Sequence, residues 1–287
     1  MFKVLPIGFR YQGKSCRRFE VNRINGFAER IIHNEDMQRE RPQTWMASVL
    51  SCLVSEIEGM VVAADFVESN GKKIPDLVKH IALPDAGMIL AVGHTTTFGN
   101  VLADQKSRCP FCRKENRVDI DLEAAECPTV NLDDEPLETL KVKLRTGWKR
   151  ILDPLKAGQQ VLGWEDKVFD EFEFGVPTVG NALRNEKYYG ESQLLDFQVR
   201  LVNEQLRAVR ATKDGFEMPT DMFEAYKAGN VFFSDRDGLY ADDRLVIRTA
   251  INNLPQADFS SMPVACAHCS KEYKTGVGYG SFFPLAG

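Results

Sequence analysis

Apolar and polar positions alternate through Phe2–Ile24, with Phe9 and Tyr11 leading into Gln12-Gly13-Lys14 and Phe19 and Val21 on the return. A period of two on either side of a turn predicts a β-hairpin. From Pro42 the period lengthens. Trp45, Val49, Leu53, Val54 and Ile57 share one face of a helix that Pro42 opens and that Gly59 stops after Glu58. Two shorter helices are expected over Pro75–His80 and Pro84–Val92, each opened by a proline and an aspartate. Leu140, Val142 and Leu144 alternate as a strand, and Phe169, Phe172 and Phe174 form another apolar segment that runs to Gly175. The longest helix is expected over roughly Glu191–Ala211. There Leu195, Val199, Val202, Leu206 and Val209 keep a three-four spacing that is too short for a coiled-coil seam. Asp242–Leu254 reads as the last helix, with Leu245, Ile247, Ile251 and Leu254 mostly buried and Pro255 ending it.

Two cysteine pairs interrupt this pattern, Cys109-Pro110-Phe111-Cys112 and Cys266-Ala267-His268-Cys269. Two thiolates separated by two residues can grip one tetrahedral ion through a tight turn, and two such turns complete a four-sulfur zinc site. Each pair is followed by a strand-like segment, Arg117–Leu122 and Glu272–Val277, which is the layout of a zinc ribbon. Cys127 and His268 are alternative ligands. No βαβ pattern lies nearby to favour a redox role for either pair. Because the ribbon's halves lie far apart, everything between them is an insertion. The expected fold class is therefore α+β, mainly helical, with an N-terminal β-hairpin and a zinc ribbon split by a long helical insertion. The expected regions are a hairpin arm (1–35), a helical region (36–108), the split ribbon (109–126 with 264–287) and the inserted, mainly helical region (127–263). No internal repeat is legible beyond the two knuckles.

Composition narrows the function. Apolar residues make up 44% and charged residues 27% of the 287, as in an ordinary globular chain. A net charge of -5 argues against a general nucleic-acid coat, and the acidic run from Asp119 to Glu138 would repel phosphate near the first knuckle. No apolar run is long enough to span a membrane, Met1–Pro6 does not read as a secretory leader, and the cysteine usage suits a reducing compartment. Lys3, Arg10, Lys14, Arg17, Arg18, Arg23 and Arg30 make the N-terminal arm basic.

One motif needs weighing. Gly8-Phe9-Arg10-Tyr11-Gln12-Gly13-Lys14-Ser15 matches the phosphate-loop pattern, and Met60–Asp65 could pass for a second, magnesium-binding strand. A phosphate loop must open a helix, because loop amides and the helix N-terminus hold the phosphates. Here Cys16–Ile24 alternates like a strand, so nucleotide hydrolysis is the weaker reading. No pair of carboxylates and no nucleophile–histidine arrangement stands out, and the chain reads as non-enzymatic.

Several strings resemble a known family. Thr97-Phe98-Gly99, the first cysteine pair with Arg117–Leu122, the opening Leu5-Pro6-Ile7, Phe174–Gly180, and the ending from Leu254 through Cys266–Tyr273 to Gly280–Phe283 are similar to the zinc-ribbon baseplate (hub) and tail-assembly proteins of contractile-tailed, T-even-like bacteriophages. In this chain Ala267 stands where proline is usual, and Arg113 and Ser270 stand where glycine is usual. The resemblance implies one structural zinc ion on Cys109, Cys112, Cys266 and Cys269. It also implies a role without catalysis in the virion tail baseplate, reached through the host cytoplasm during assembly. The implied partners are other baseplate or tail proteins, of hub or wedge, and further copies of this chain, with neither nucleic acid nor membrane. An assembly chaperone absent from the mature particle is the alternative, and a zinc-ribbon nucleic-acid binder is a more distant one. Tyr279, Phe282 and Phe283 are candidate partner anchors, although such a tail can equally fold back onto its own ribbon.

Overall fold

In the computed structural model, described over residues 3–62, 74–149, 166–186, 201–234 and 238–283, the N-terminal alternation folds as expected. Strands β1 (Val4–Tyr11) and β2 (Lys14–Val21) pair antiparallel around Gln12-Gly13, both at positive φ (49° and 79°). The phosphate-loop look-alike is therefore the tip of a hairpin, with strand rather than helix after Lys14. Of Met60–Asp65, the residues from Ala63 onward lie outside the described ones. Helices α1 (Gly26–Ile32), α2 (Glu35–Glu40) and α3 (Pro42–Leu53) follow. The expected helix over Pro42–Glu58 is too long by one element. Val54–Ile57 is β3, and Glu58-Gly59 (φ 48° and 73°) turns it into β4 (Met60–Val61). Next come α4 (Asp76–His80), α5 (Leu83–Phe98), and a hairpin of β5 (Val101–Arg108) with β6 (Glu115–Asp121).

The chain divides into two units. The first contains Met1–Pro136, Thr178–Glu186 and Pro255–Gly287, and the second contains Leu137–Pro177 and Lys187–Leu254. In the second, β7 (Thr139–Trp148) pairs with β8 (Phe169–Gly175). Helix α6 (Val179–Asn185) belongs to the first unit. Residues 201–205 are helical, then β9 (Leu206–Ala211), β10 (Phe216–Glu217), α7 (Thr220–Ala228) and α8 (Ala241–Asn252) complete the second unit. A hairpin of β11 (Met262–Ala265) and β12 (Glu272–Thr275) returns to the first. Trp45, Leu50, Leu53, Ile57 and Ile89 are central to the first core; Trp148, Phe169, Phe172, Phe223 and Phe232 are central to the second.

The expectation of a mainly helical chain is overturned. Helix and strand take about 39% and 31% of the described residues, and the strands make four antiparallel sheets, so the fold is a balanced α+β mixture. The largest error is the helix expected over Glu191–Ala211. Its first ten residues lie outside the described ones, and its last six are β9. A bulge is the physical cause. Where β8 advances one residue, Glu173 to Phe174, β9 steps from Ala208 to Leu206. Leu206 and Val209 thereby both face the core although they are three residues apart, which imitates helical spacing. Val54 and Ile57 misled in the same way, because β3 steps from Glu56 to Val54 while β2 advances from Glu20 to Val21. Leu245, expected on the buried side of the last helix, is exposed.

That shared bulge belongs to a larger correspondence. The sheets run β1-β2-β3-β4 and β7-β8-β9-β10, each followed by two helices. Between Val4 and Phe9 the first strand advances five residues while its partner advances two, and the same holds between Lys143 and Trp148. Each irregularity carries a glycine at positive φ, Gly8 (68°) and Gly147 (80°). Each is held by a fully buried aspartate at the third position of the second helix after the sheet, α5 or α8. The Asp85 carboxylate accepts the N–H groups of Ile7 and Gly8 at 3.0 and 2.9 Å. The Asp243 carboxylate accepts those of Arg145, Thr146 and Gly147 at 2.7, 3.1 and 2.9 Å. A seven-residue helix follows the second strand in both, α1 and α6, and a helix runs directly into the third strand. The chain thus repeats one plan twice, a repeat beyond the two knuckles that its sequence does not display.

Candidate metal centre

Both cysteine pairs sit at the tips of hairpins rather than ahead of single strands. Cys109–Cys112 joins β5 to β6, and Cys266–Cys269 joins β11 to β12. Strand β5 escaped the sequence reading because Asp104 takes a positive φ (57°) in a bulge that breaks its alternation. The two tips are alike in their backbone bonds. Cys109 N–H donates to Lys114 O and Arg113 N–H to Cys109 O, while Cys266 N–H donates to Lys271 O and Ser270 N–H to Cys266 O, all at 2.9–3.0 Å. Arg113 and Ser270 adopt left-handed conformations (φ 60° and 55°), the geometry for which glycine is the easier choice.

The four sulfur atoms lie within 4.8 Å of one another, with Cys109 and Cys266 buried and Cys112 and Cys269 half-buried. Cys109 Sγ is 3.8 Å from Cys269 Sγ, and Cys112 Sγ is 3.6 Å from Cys266 Sγ. Both distances far exceed a disulfide bond. They match the edge of a sulfur tetrahedron around an ion with bonds of roughly 2.3 Å, which is about 3.8 Å. Four thiols converging from segments so distant in sequence form a donor set that a metal ion fits.

The thiols do not ionise alike. Burial raises Cys266, but the N–H groups of His268 and Cys269 and the neighbouring thiols of Cys269 and Cys112 outweigh it and bring it down to about 6. Cys269 is drawn down by the Lys271 amide, yet burial and the sulfurs of Cys266, Cys109 and Cys112 push it up to about 11. The Cys266 thiol is therefore ready to ionise near neutral pH, and Cys269 would give up its proton to a bound cation.

No family model, curated protein or solved structure matches this chain.

The alternative ligands do not join the cluster. Cys127 is exposed and outside it, and His268 Nε2 lies 3.2 Å from Glu115 O. The basic arm is partly structural. Arg17 is buried and donates to the carbonyls of Leu5, Pro6, Asp134 and Glu135. The tail anchors need correction. Phe282 and Phe283 are 0% and 5% exposed, with Phe282 set edge-on to Phe259 and its carbonyl 2.6 Å from His94 Nδ1. Burying two rings in their own unit removes them from a partner's reach. The side chain of Tyr279 lies outside the described ones.

Asn116 is the residue that sequence reading missed. It is buried on β6, its Nδ2 donates to Lys114 O, and its Oδ1 accepts Ala267 N–H at 3.1 Å. One amide thus ties both knuckles together. Ser107 and Thr275 add a bond at 3.0 Å between β5 and β12. Only the position of Asn116 just after a knuckle would have hinted at this role. No helix among the described residues is long and apolar enough to cross a membrane.

Proposed function

We propose that this chain is a zinc-stapled, non-enzymatic component of a contractile phage-tail baseplate, acting through protein–protein contacts during baseplate assembly. The convergence of Cys109, Cys112, Cys266 and Cys269 carries the reading. Four thiolates in a tetrahedron suit zinc, and a site closed by four protein donors stabilises structure instead of presenting an open coordination position. Two-stranded hairpins are marginal alone, and the ion would hold both in place and join the middle of the chain to residues 262–275. The baseplate assignment rests on the strings that resemble the hub and tail-assembly proteins.

Metal analysis of the purified protein should find about one zinc per chain. Cys266→Ser should release it and lower stability by several kcal/mol, a fraction of the roughly 10 kcal/mol that structural zinc contributes in small modules. A folded, metal-free protein would refute the staple. Quantitative mass spectrometry of purified particles tests the placement. A few copies per tail, counted against a tube or sheath protein, is the expected result. Abundance in infected cells with absence from particles would replace it with an assembly factor.

A further inference from the structure

The converging sulfurs are capable of a second chemistry besides metal binding. Two of their contacts run from one hairpin to the other, Cys112 to Cys266 at 3.6 Å and Cys109 to Cys269 at 3.8 Å. Each contact couples a half-buried sulfur, Cys112 or Cys269, to a buried one, Cys266 or Cys109. An oxidant arriving from solvent therefore meets one member of each pair first, with the other already within reach of it. The hairpins are also tied by groups that need no ion. Asn116 Oδ1 accepts Ala267 N–H, Ser107 bonds Thr275, and Val118, Ile120, Val264 and Tyr273 share one core. These ties keep the two tips facing each other whether or not a metal is bound.

A bond within one knuckle would have to tighten a turn that Arg113 N–H to Cys109 O, or Ser270 N–H to Cys266 O, already closes. A bond across the hairpins asks only that two sulfurs approach by roughly 1.5–2 Å. We propose that, without a bound ion, the four cysteines are a disulfide-forming site that a peroxide oxidises to two cross-hairpin bonds, Cys112–Cys266 and Cys109–Cys269. In the first step the Cys112 sulfur attacks a peroxide oxygen. The S–O bond forms, the O–O bond breaks, and one water leaves with the thiol's proton. The Cys266 sulfur then attacks the sulfenic sulfur. The S–S bond forms, the S–O bond breaks, and a second water carries away the second thiol proton. Two sulfurs lose two electrons in all, and one peroxide is reduced to two waters. Cys269 and Cys109 follow the same course with a second peroxide. The new bonds join residues 154 and 160 positions apart, so the middle of the chain stays fastened to residues 262–275 by a covalent staple in surroundings too oxidising for free thiols. The inference goes beyond the zinc reading and rests only on the convergence of the sulfurs. Metal content and placement in particles are measured separately, so failure of either reading remains distinguishable from failure of this one.

The test uses the full chain, freed of metal with a chelator, desalted and treated with stoichiometric hydrogen peroxide. Mass-spectrometric peptide mapping without reduction should find Cys112 joined to Cys266 and Cys109 joined to Cys269, with Cys16, Cys52 and Cys127 still free. Amide-exchange protection in β5, β6, β11 and β12 should then survive excess chelator, and should fall by tenfold or more when a thiol reductant is added with the chelator. Cys112→Ser should remove the first link and keep the second. Links within a knuckle, links to Cys127 or between chains, or conversion of Cys112 to a sulfinic acid with no link at all would overturn the proposal. So would the expected links with no gain in protection, since the bonds would then fasten nothing.

Discussion

Asp85 shows how a residue's role can be strong and still hidden. Its carboxylate is fully buried and spans two backbone N–H groups from a strand 77 and 78 positions away. Nothing local announces this, whereas a cysteine pair declares its chemistry within four residues. Burial lifts the Asp85 carboxyl from 3.8 to about 7, against the pull of the Ile7 and Gly8 amides and of Arg17. The folded chain therefore holds this proton more tightly than the unfolded chain does. The stability it contributes is complete below about pH 4 and is lost as pH rises through 7, a difference of at most roughly 4 kcal/mol. Asp85→Asn keeps the shape but turns an amide NH2 toward a backbone donor, which should cost about 2 kcal/mol or more. In urea titrations the gap between wild type and variant should be widest near pH 4.5 and narrow toward pH 7.5. A gap constant across that range would show that Asp85 does not titrate in the folded chain. The aromatic tail is the opposite case. Phe282 and Phe283 were conspicuous in the sequence, but apolarity alone cannot tell an anchor for a partner from a plug for the chain's own core, and His94 and Phe259 hold the plug.

At the scale of elements, the regular pieces were legible and the irregular ones were not. The tip of the first hairpin from Phe9 to Cys16, α4, the start of α5 and the strand at Leu140–Leu144 follow from periodicity, because over those residues the backbone keeps a constant step. Strands β3 and β9, read as helix, and β5, not read at all, each sit at a register shift. A bulge sets inward residues three apart, and periodicity then reports helix where a strand folds. Gly8 and Gly147 are the backbone signatures of two such irregularities. Besides its positive φ, each has a facing carbonyl, Cys16 O or Phe169 O, only 2.8 Å from where a Cβ would sit. Gly147→Ala should therefore cost about 2 kcal/mol or more, beyond the usual penalty for a left-handed residue, since the strand pair must also part. Gly8→Ala should cost a similar amount. Alanine at Gly13, with open space around it, should cost only its conformational term of about 1 kcal/mol. Chemical denaturation of the three variants checks the order; equal losses at Gly13 and Gly147 would show that the close approach does not matter.

At the scale of the molecule, the sequence shows a split ribbon clearly and a duplicated plan not at all. Four cysteines at fixed spacing survive as letters, while the repeat survives only as strand order, register shifts, a glycine and an aspartate in each unit. The two features assign stability differently. The ribbon's strands belong to the first unit, where Val118, Ile120, Met262, Val264 and Tyr273 join its core; Asn116 and the Ser107–Thr275 bond tie the two hairpins, and an ion held by the four cysteines would tie their tips. The second unit has a self-contained aromatic core of Trp148, Phe169, Phe172, Phe223 and Phe232, in which Phe172 and Trp148 both pack edge-on against Phe232. Removing the ion should therefore act locally. After chelation under native conditions, amide-exchange protection should fall by tenfold or more in β5, β6, β11 and β12, while β7, β8 and β9 keep theirs. Loss of protection in β8 and β9 at the same chelator concentration would mean that the two units unfold as one cooperative system and that the ion supports both. Retention everywhere would mean that the hairpins stand without the metal, and the four cysteines would then need another explanation.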